Sequence, residues 1–292
     1  MSEPSPIRWA IDLSVILNAA LGPDRFPVDV PHLALEYSRS RYPEDPILRV
    51  VGDDLPGFDG ALMKAPSGRA GWGIFYNNAF KSNGRINFTL AHEFGHYLLH
   101  RKAYPDGFAC SSDDVVRWDS DYGQIEHQAN VFAANLLMPL DDYRKHIPQH
   151  ERIDLETISA MAKRYQVSLI AAALRWVGST TRRAVLVCSR DGYILWARSS
   201  RNALKTGALF RTSRGPIEIP MSSHAATQDP LADGRLGVQH DPDVWFPEPV
   251  REMTIFSEQY DFVISLLLLE DVHGYHYEEE ETPDIYDRFM ER

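Results

Sequence analysis

The chain has 292 residues, 44% of them apolar and 24% charged, with a formal net charge of −11. This is the composition of an ordinary globular protein, long enough for two domains or one large one. The acidic balance argues against broad, sequence-independent nucleic-acid binding, and the absence of any run of about 18 apolar residues argues against a membrane span.

The first stretch, Met1 to Gly22, carries Pro4, Pro6, Arg8 and Asp12. It has no basic segment followed by a clean apolar one, so it does not read as a secretory signal. Ile11, Val15, Ile16 and Ala19 recur at helical spacing over Ala10 to Ala20, and Gly22-Pro23 ends that helix. A second helix begins near Asp29 or Val30, with Pro31 in its first turn. Ile47–Val51, Phe58–Lys64 and Gly71–Asn77 read as strands between turn signals. The last of these stands just before the most informative segment. It could be an ordinary central strand, or an edge that pairs with an extended peptide.

That segment is Thr89-Leu90-Ala91-His92-Glu93-Phe94-Gly95-His96-Tyr97-Leu98-Leu99-His100. Its apolar positions have helical spacing, which places His92 and His96 one turn apart on one face. Two imidazoles so placed can share one tetrahedral zinc ion. Glu93 then stands where its carboxylate reaches a metal-bound water, the general-base position of a zinc peptidase. His100 is two turns from His92, too far along the axis for all three histidines to share one ion.

Arg101 to Gln124 reads as irregular. From Ile125, the residues Ala129, Phe132, Ala133 and Leu136 mark one helical face, and Pro139 stops the helix. The alanines, with Gly95 opposite, would let this helix approach the His-Glu-x-x-His helix closely. A catalytic zinc site needs a third protein ligand and one open position. Glu126 is the candidate; Cys110, Asp119 and Asp121 on the preceding loop stay open. His127 points roughly 100° from Glu126, into solvent. Asn130, one turn on, either orients Glu126 or is a surface amide.

The segment Phe88–His100 and the later run Glu126-x-x-Ala129-Asn130-x-Phe132-Ala133-Ala134-x-Leu136-Leu137-Met138-Pro139 together resemble the ImmA/IrrE family of metallo-endopeptidases, over roughly residues 25–180. The resemblance implies a zincin-like fold, zinc bound by His92, His96 and Glu126, and Glu93 acting in catalysis. It also implies a protein substrate, a helix-turn-helix transcriptional repressor. Cutting it would switch on mobile-element or stress-response genes. The family often has Glu-x-Glu-Ala where this chain has Glu126-His127-Gln128-Ala129. Gln128 removes the competing carboxylate and favours Glu126 as the ligand.

Further along, Asp154–Tyr165 and Leu169–Trp176 read as two helices joined by Gln166-Val167-Ser168, with Ser168 as N-cap. The pair is helix-turn-helix-like. Lys163, Arg164, Arg175, Arg182 and Arg183 give it local positive charge, so DNA binding is open. The second helix is apolar and alanine-rich, however, which favours packing or partner docking over groove reading. Ala184–Cys188 and Tyr193–Arg198, turned at Asp191-Gly192, predict a hairpin, and Met253–Phe256 and Phe262–Leu269 later strands. The stretch 215–249 reads as loops, with His224, His240, Asp241 and Asp243 as surface residues rather than a metal cluster. Cys110 and Cys188 read as free thiols, and Glu278–Glu281 as a solvated tail.

The expected architecture is therefore α+β. A zincin-like metallopeptidase domain spans 1–150, a helix-turn-helix-like segment 151–183, and a β-rich, GAF-like C-terminal domain 184–292. The expected activity is zinc-dependent endopeptidase in the cytoplasm, with no membrane partner. In the expected mechanism the zinc-activated water is deprotonated by Glu93, and Tyr97, His100 or Tyr104 helps to stabilise the oxyanion. Two imidazoles and a carboxylate also accept manganese. The alternative is a DNA- or protein-binding transcriptional regulator built on a metallopeptidase fold, with little protease activity.

Overall fold

The computed structural model of the chain describes residues 4–66, 68–105, 107–110, 121–147, 153–229, 231–257 and 261–271. Helix α1, Pro6–Leu21, starts earlier than its apolar spacing indicated, because Ser5 caps it by accepting from the Arg8 N–H and Pro6 opens its first turn. Helix α2, Val30–Arg41, is capped by Asp29, whose carboxylate accepts from the His32 N–H at 3.0 Å. Both helices bury small and branched residues, Ala10 and Leu13 on α1 and Leu33 and Ala34 on α2.

The first sheet contains β1 (Ile47–Asp53), β2 (Gly60–Lys64), β3 (Trp72–Asn77) and β4 (Gly107–Cys110), in the order β1-β3-β2-β4. β1 runs parallel to β3; the other pairs are antiparallel. The strand before the His-Glu-x-x-His helix is thus central, flanked by β1 and β2, and the edge role weighed for it is excluded. Among the described residues the edges are β1 and β4. β4 lies inside the stretch read as irregular, where four residues are too few for an alternating pattern to register.

Helix α3, Asn83–Leu99, packs against this sheet and against helix α4, Asp121–Leu137. α4 begins ahead of Ile125 and stops just before Pro139, as that proline requires. Pro139 then opens a short helix, α5, Leu140–His146, which the apolar pattern did not announce. The loop residue Asp119, the side chains of Cys110 and Asp121, and the Glu278–Glu281 run lie outside the described residues.

Helix α6, Leu155–Tyr165, and helix α7, Leu169–Ser179, flank a turn in which Gln166 takes a left-handed conformation (φ 48°) and Ser168 caps α7 through the Ala171 N–H. The pair is fastened to the peptidase-like layer. Tyr143 donates to the Ala172 carbonyl at 2.7 Å, and the Asp142 carboxylate accepts from Arg164 at 2.9 and 3.1 Å and from the Tyr165 hydroxyl at 2.8 Å.

The second sheet is antiparallel, in the order β6-β5-β9-β8-β7, from β5 (Ala184–Arg190), β6 (Tyr193–Ser199), β7 (Val238–His240), β8 (Val250–Ser257) and β9 (Phe262–Leu269). Asp191 and Gly192 both take positive φ, the requirement of the tight hairpin turn expected there. One face, with Leu186, Cys188, Met253, Ile264 and Leu266, joins the same buried cluster as α3, α4 and α7. The other face packs Val185, Val187 and Leu267 against Ala203 of the short helix α8 (Arg201–Lys205) and Ala225 of α9 (His224–Thr227). Within the stretch read as loops, His224 and His240 are buried, not superficial. They surround the buried Glu252 carboxylate, which accepts from His240 Nε2 and Trp245 Nε1 at 2.8 Å and from the backbone N–H groups of His224 and Ala225 at 2.9 Å. A buried carboxylate needs that many donors to offset its lost hydration. Asp241 and Asp243 are exposed. Among the described residues no helix is long and apolar enough to cross a membrane.

Candidate metal centre

Ser82 caps α3 by accepting from the Arg85 N–H, and the stretch Thr89–Leu98 is buried throughout. The four-residue spacing sends His92 and His96 to the same side. Helix α4 can come close there because the facing residues are small. A Cβ placed on Gly95 would lie 2.9 Å from Phe132 Cδ1 and 3.4 Å from Ala129 Cα. This close crossing carries Glu126 to the histidines. Its Oε2 is 3.1 Å from His92 Nε2, its Oε1 is 3.2 Å from His96 Nε2, and the two Nε2 atoms are 2.9 Å apart.

All three side chains are buried, and their ligating atoms lie within 4.8 Å of one another. Burial pulls His96 down to about 3, with His92 and His100 adding to the effect and Glu126 opposing it. For His92, burial also disfavours the cation, but the Glu126 and Glu93 carboxylates outweigh it and raise the pKa. Burial opposes ionisation of Glu126 too, yet the two imidazoles hold its carboxyl well below the usual range. For His96 and Glu126 these shifts favour the neutral imidazole and the ionised carboxylate, the forms that bind a metal.

Behind these three lies a second set of contacts. Asn130 Oδ1 is 3.0 Å from His92 Nδ1. His100 Nδ1 is 3.0 Å from His96 Nδ1, and Gln128 Oε1 is 3.0 Å from His100 Nε2. Asn130 therefore meets His92, where sequence reasoning had linked it to Glu126 or to solvent. His100 stands outside the ligating group, as helix length required, and instead touches His96 from behind. The four-residue spacing places His100 and Asn130 one turn beyond His96 and Glu126, but nothing in the sequence says which imidazole each of these side chains, or Gln128, meets. His127 is only partly exposed, and burial together with Arg198 lowers its pKa.

Glu93 is fully buried beside the ligating group, against the first residue of β2. A Cβ on Gly60 would lie 2.8 Å from Glu93 Oε1 and 2.5 Å from Thr89 Cγ2, so a larger residue there would require these side chains to shift. Of the three aromatic donors considered for the oxyanion, Tyr97 is ruled out by its position. It is buried against Phe94 and Tyr42, and its hydroxyl donates to the Asp45 carbonyl at 2.8 Å. His100 is engaged with His96. Tyr104 keeps an exposed ring.

Two histidines from one helix, a carboxylate from the next and a glutamate beside the first histidine define a metallopeptidase-type centre. The donor set is that of a mononuclear site with an open position, and it fits a single divalent ion. Residues 43–177 match the family model of peptidase M78, described as the IrrE N-terminal-like domain, and this match supports an ImmA/IrrE family metallopeptidase. The match runs from just before β1 to within α7 and takes in every residue of the centre. No curated protein is found to match the chain.

Proposed function

We propose that the chain is a zinc-dependent endopeptidase that cuts a specific protein. The observation that carries this reading is the convergence of His92 Nε2, His96 Nε2 and the Glu126 carboxylate in a buried site, with Glu93 adjoining. His92, His96 and Glu126 would hold the ion. When bound, zinc supplies Lewis acidity, lowering the pKa of water and polarising the scissile carbonyl. Glu93 takes the proton of the attacking water and delivers it to the departing amine nitrogen. Gly60 keeps the neighbouring strand from displacing that carboxylate. Tyr104, exposed just past α3, is the remaining candidate to donate to the oxyanion. Strand β4, an edge among the described residues, offers backbone groups with which an extended peptide could pair.

The family resemblance supports a helix-turn-helix repressor as substrate and a role in stress-response or mobile-element gene control. We propose the β-rich part beyond residue 183 as a GAF-like sensory unit, on the support of its antiparallel sheet. The regulator reading has one observation bearing on it. Arg164 is paired with Asp142, Arg175 donates to Met138 O and Asn135, and Arg183 is paired with Glu248. Charges so committed favour partner docking by the 155–179 helices over a DNA contact.

Glu93→Gln tests the mechanism. The variant should retain its metal and lose at least about 100-fold in peptide hydrolysis, the scale of a general base. Hydrolysis at the wild-type rate would remove Glu93 from the mechanism.

A further inference from the structure

The contacts behind His96 form a directed chain, and its direction decides which nitrogen of His96 can bind an ion. A neutral imidazole carries one proton, so one ring nitrogen donates and the other accepts. The Gln128 amide oxygen can only accept. Facing His100 Nε2 at 3.0 Å, it requires that nitrogen to carry the proton. His100 Nδ1 is then bare and must accept, so across the 3.0 Å contact His96 Nδ1 must donate. His96 Nε2 is left with its lone pair directed at the ligating group. Asn130 Oδ1 does the same for His92 from the other side. Two bare imidazole nitrogens and a carboxylate then face one another at 2.9 to 3.2 Å, which is repulsive without a cation between them. The reverse orientation of the Gln128 amide would reverse every donor in the chain. It would put a proton on His96 Nε2, aimed at Glu126, and close that ligand to an ion.

We infer that Gln128, acting through His100, is a positioning residue that fixes the metal-binding tautomer of His96. The inference rests on the metal reading of the His92–His96–Glu126 site. It gives the side chain at 128 a task that needs an acceptor at that position and not a charge. Gln128→Glu keeps the acceptor, whereas Gln128→Leu keeps the shape and removes it. Gln128 is only partly buried, so neither change burdens the core.

The experiment is a zinc titration against a chromophoric chelator for the wild type, Gln128→Leu and Gln128→Glu. It is joined to two-bond ¹H–¹⁵N spectra of the histidine rings. Gln128→Leu should bind zinc 10- to 100-fold more weakly, the usual cost of losing an outer hydrogen-bond partner of a ligand. Gln128→Glu should match or exceed the wild type. The wild-type spectra should show His100 as the Nε2–H tautomer, and Gln128→Leu should lose that preference. A merely structural role for Gln128 would not move the tautomer. Equal affinity in wild type and Gln128→Leu, or His100 protonated on Nδ1 in the wild type, overturns the relay alone. A wild type that binds no zinc overturns the metal reading and the relay with it. The wild-type spectra need no variant, so a poorly folded Gln128→Leu leaves the inference testable.

Discussion

Gly60 shows how little room surrounds the proposed base. Its missing side chain is the space in which Glu93 Oε1 and Thr89 Cγ2 sit. Gly60→Ala should push the carboxylate aside while leaving His92, His96 and Glu126 untouched. A displacement of about 1 Å at a reacting group costs up to about 100-fold in rate. We therefore expect kcat to fall at least about tenfold at unchanged metal content; wild-type turnover would show that the strand yields instead. At this scale the grouping of the three donors was legible in the sequence. His92 and His96 are set by one helical turn, and Glu126 lies beside the face marked by Ala129 and Ala133. What could not be read was the layer behind them. The contact between His96 and His100 looks the same in sequence as two solvated histidines, and which amide faces which imidazole depends on how α3 and α4 cross. Tyr97 failed as a donor for a similar reason: its neighbour in space, Asp45, is remote in sequence.

Among the elements, α2, α6 and α7 were legible because each carries a capping residue and apolar positions at helical spacing. The residues that marked α1, Ile11, Val15, Ile16 and Ala19, are exposed, and its buried face is instead Ala10 and Leu13. Helix α5 and strand β4 were not legible, being too short for either signal. α5 matters, since its Asp142 ties α6 to the rest. Burial opposes the ionisation of Asp142, but the hydrogen bonds from Arg164 and Tyr165 outweigh it and lower its pKa below 3.8. A carboxylate held below its unfolded value stabilises the fold fully above that value. The contribution is lost as pH falls through the folded pKa. Asp142→Asn should cost about 2 kcal/mol at neutral pH, less than the ~3–5 kcal/mol of a fully buried pair because Arg164 keeps some water contact. The gap from wild type in urea unfolding should narrow as pH drops below about 4. A gap independent of pH would mean that the ion pair contributes nothing.

Across the whole molecule, one buried cluster runs from Ala10 of α1 through Phe94 and Phe132 to Leu266 of β9. The face of the second sheet bearing Leu186 and Ile264 is part of that cluster. Heat should therefore unfold the chain in one transition, by both circular dichroism and calorimetry. Two separated transitions would show that the sheets are held together only weakly. The same cluster holds α3 and α4 at the distance the metal centre needs. The central claim, that His92, His96 and Glu126 bind one ion, is met most directly by the metal content of purified wild type beside Glu126→Ala, after dialysis against a weak chelator. The account predicts about one zinc per chain in the wild type and a sharp loss in the variant, as a three-ligand site requires. Zinc retained by Glu126→Ala, or none in the wild type, would contradict it.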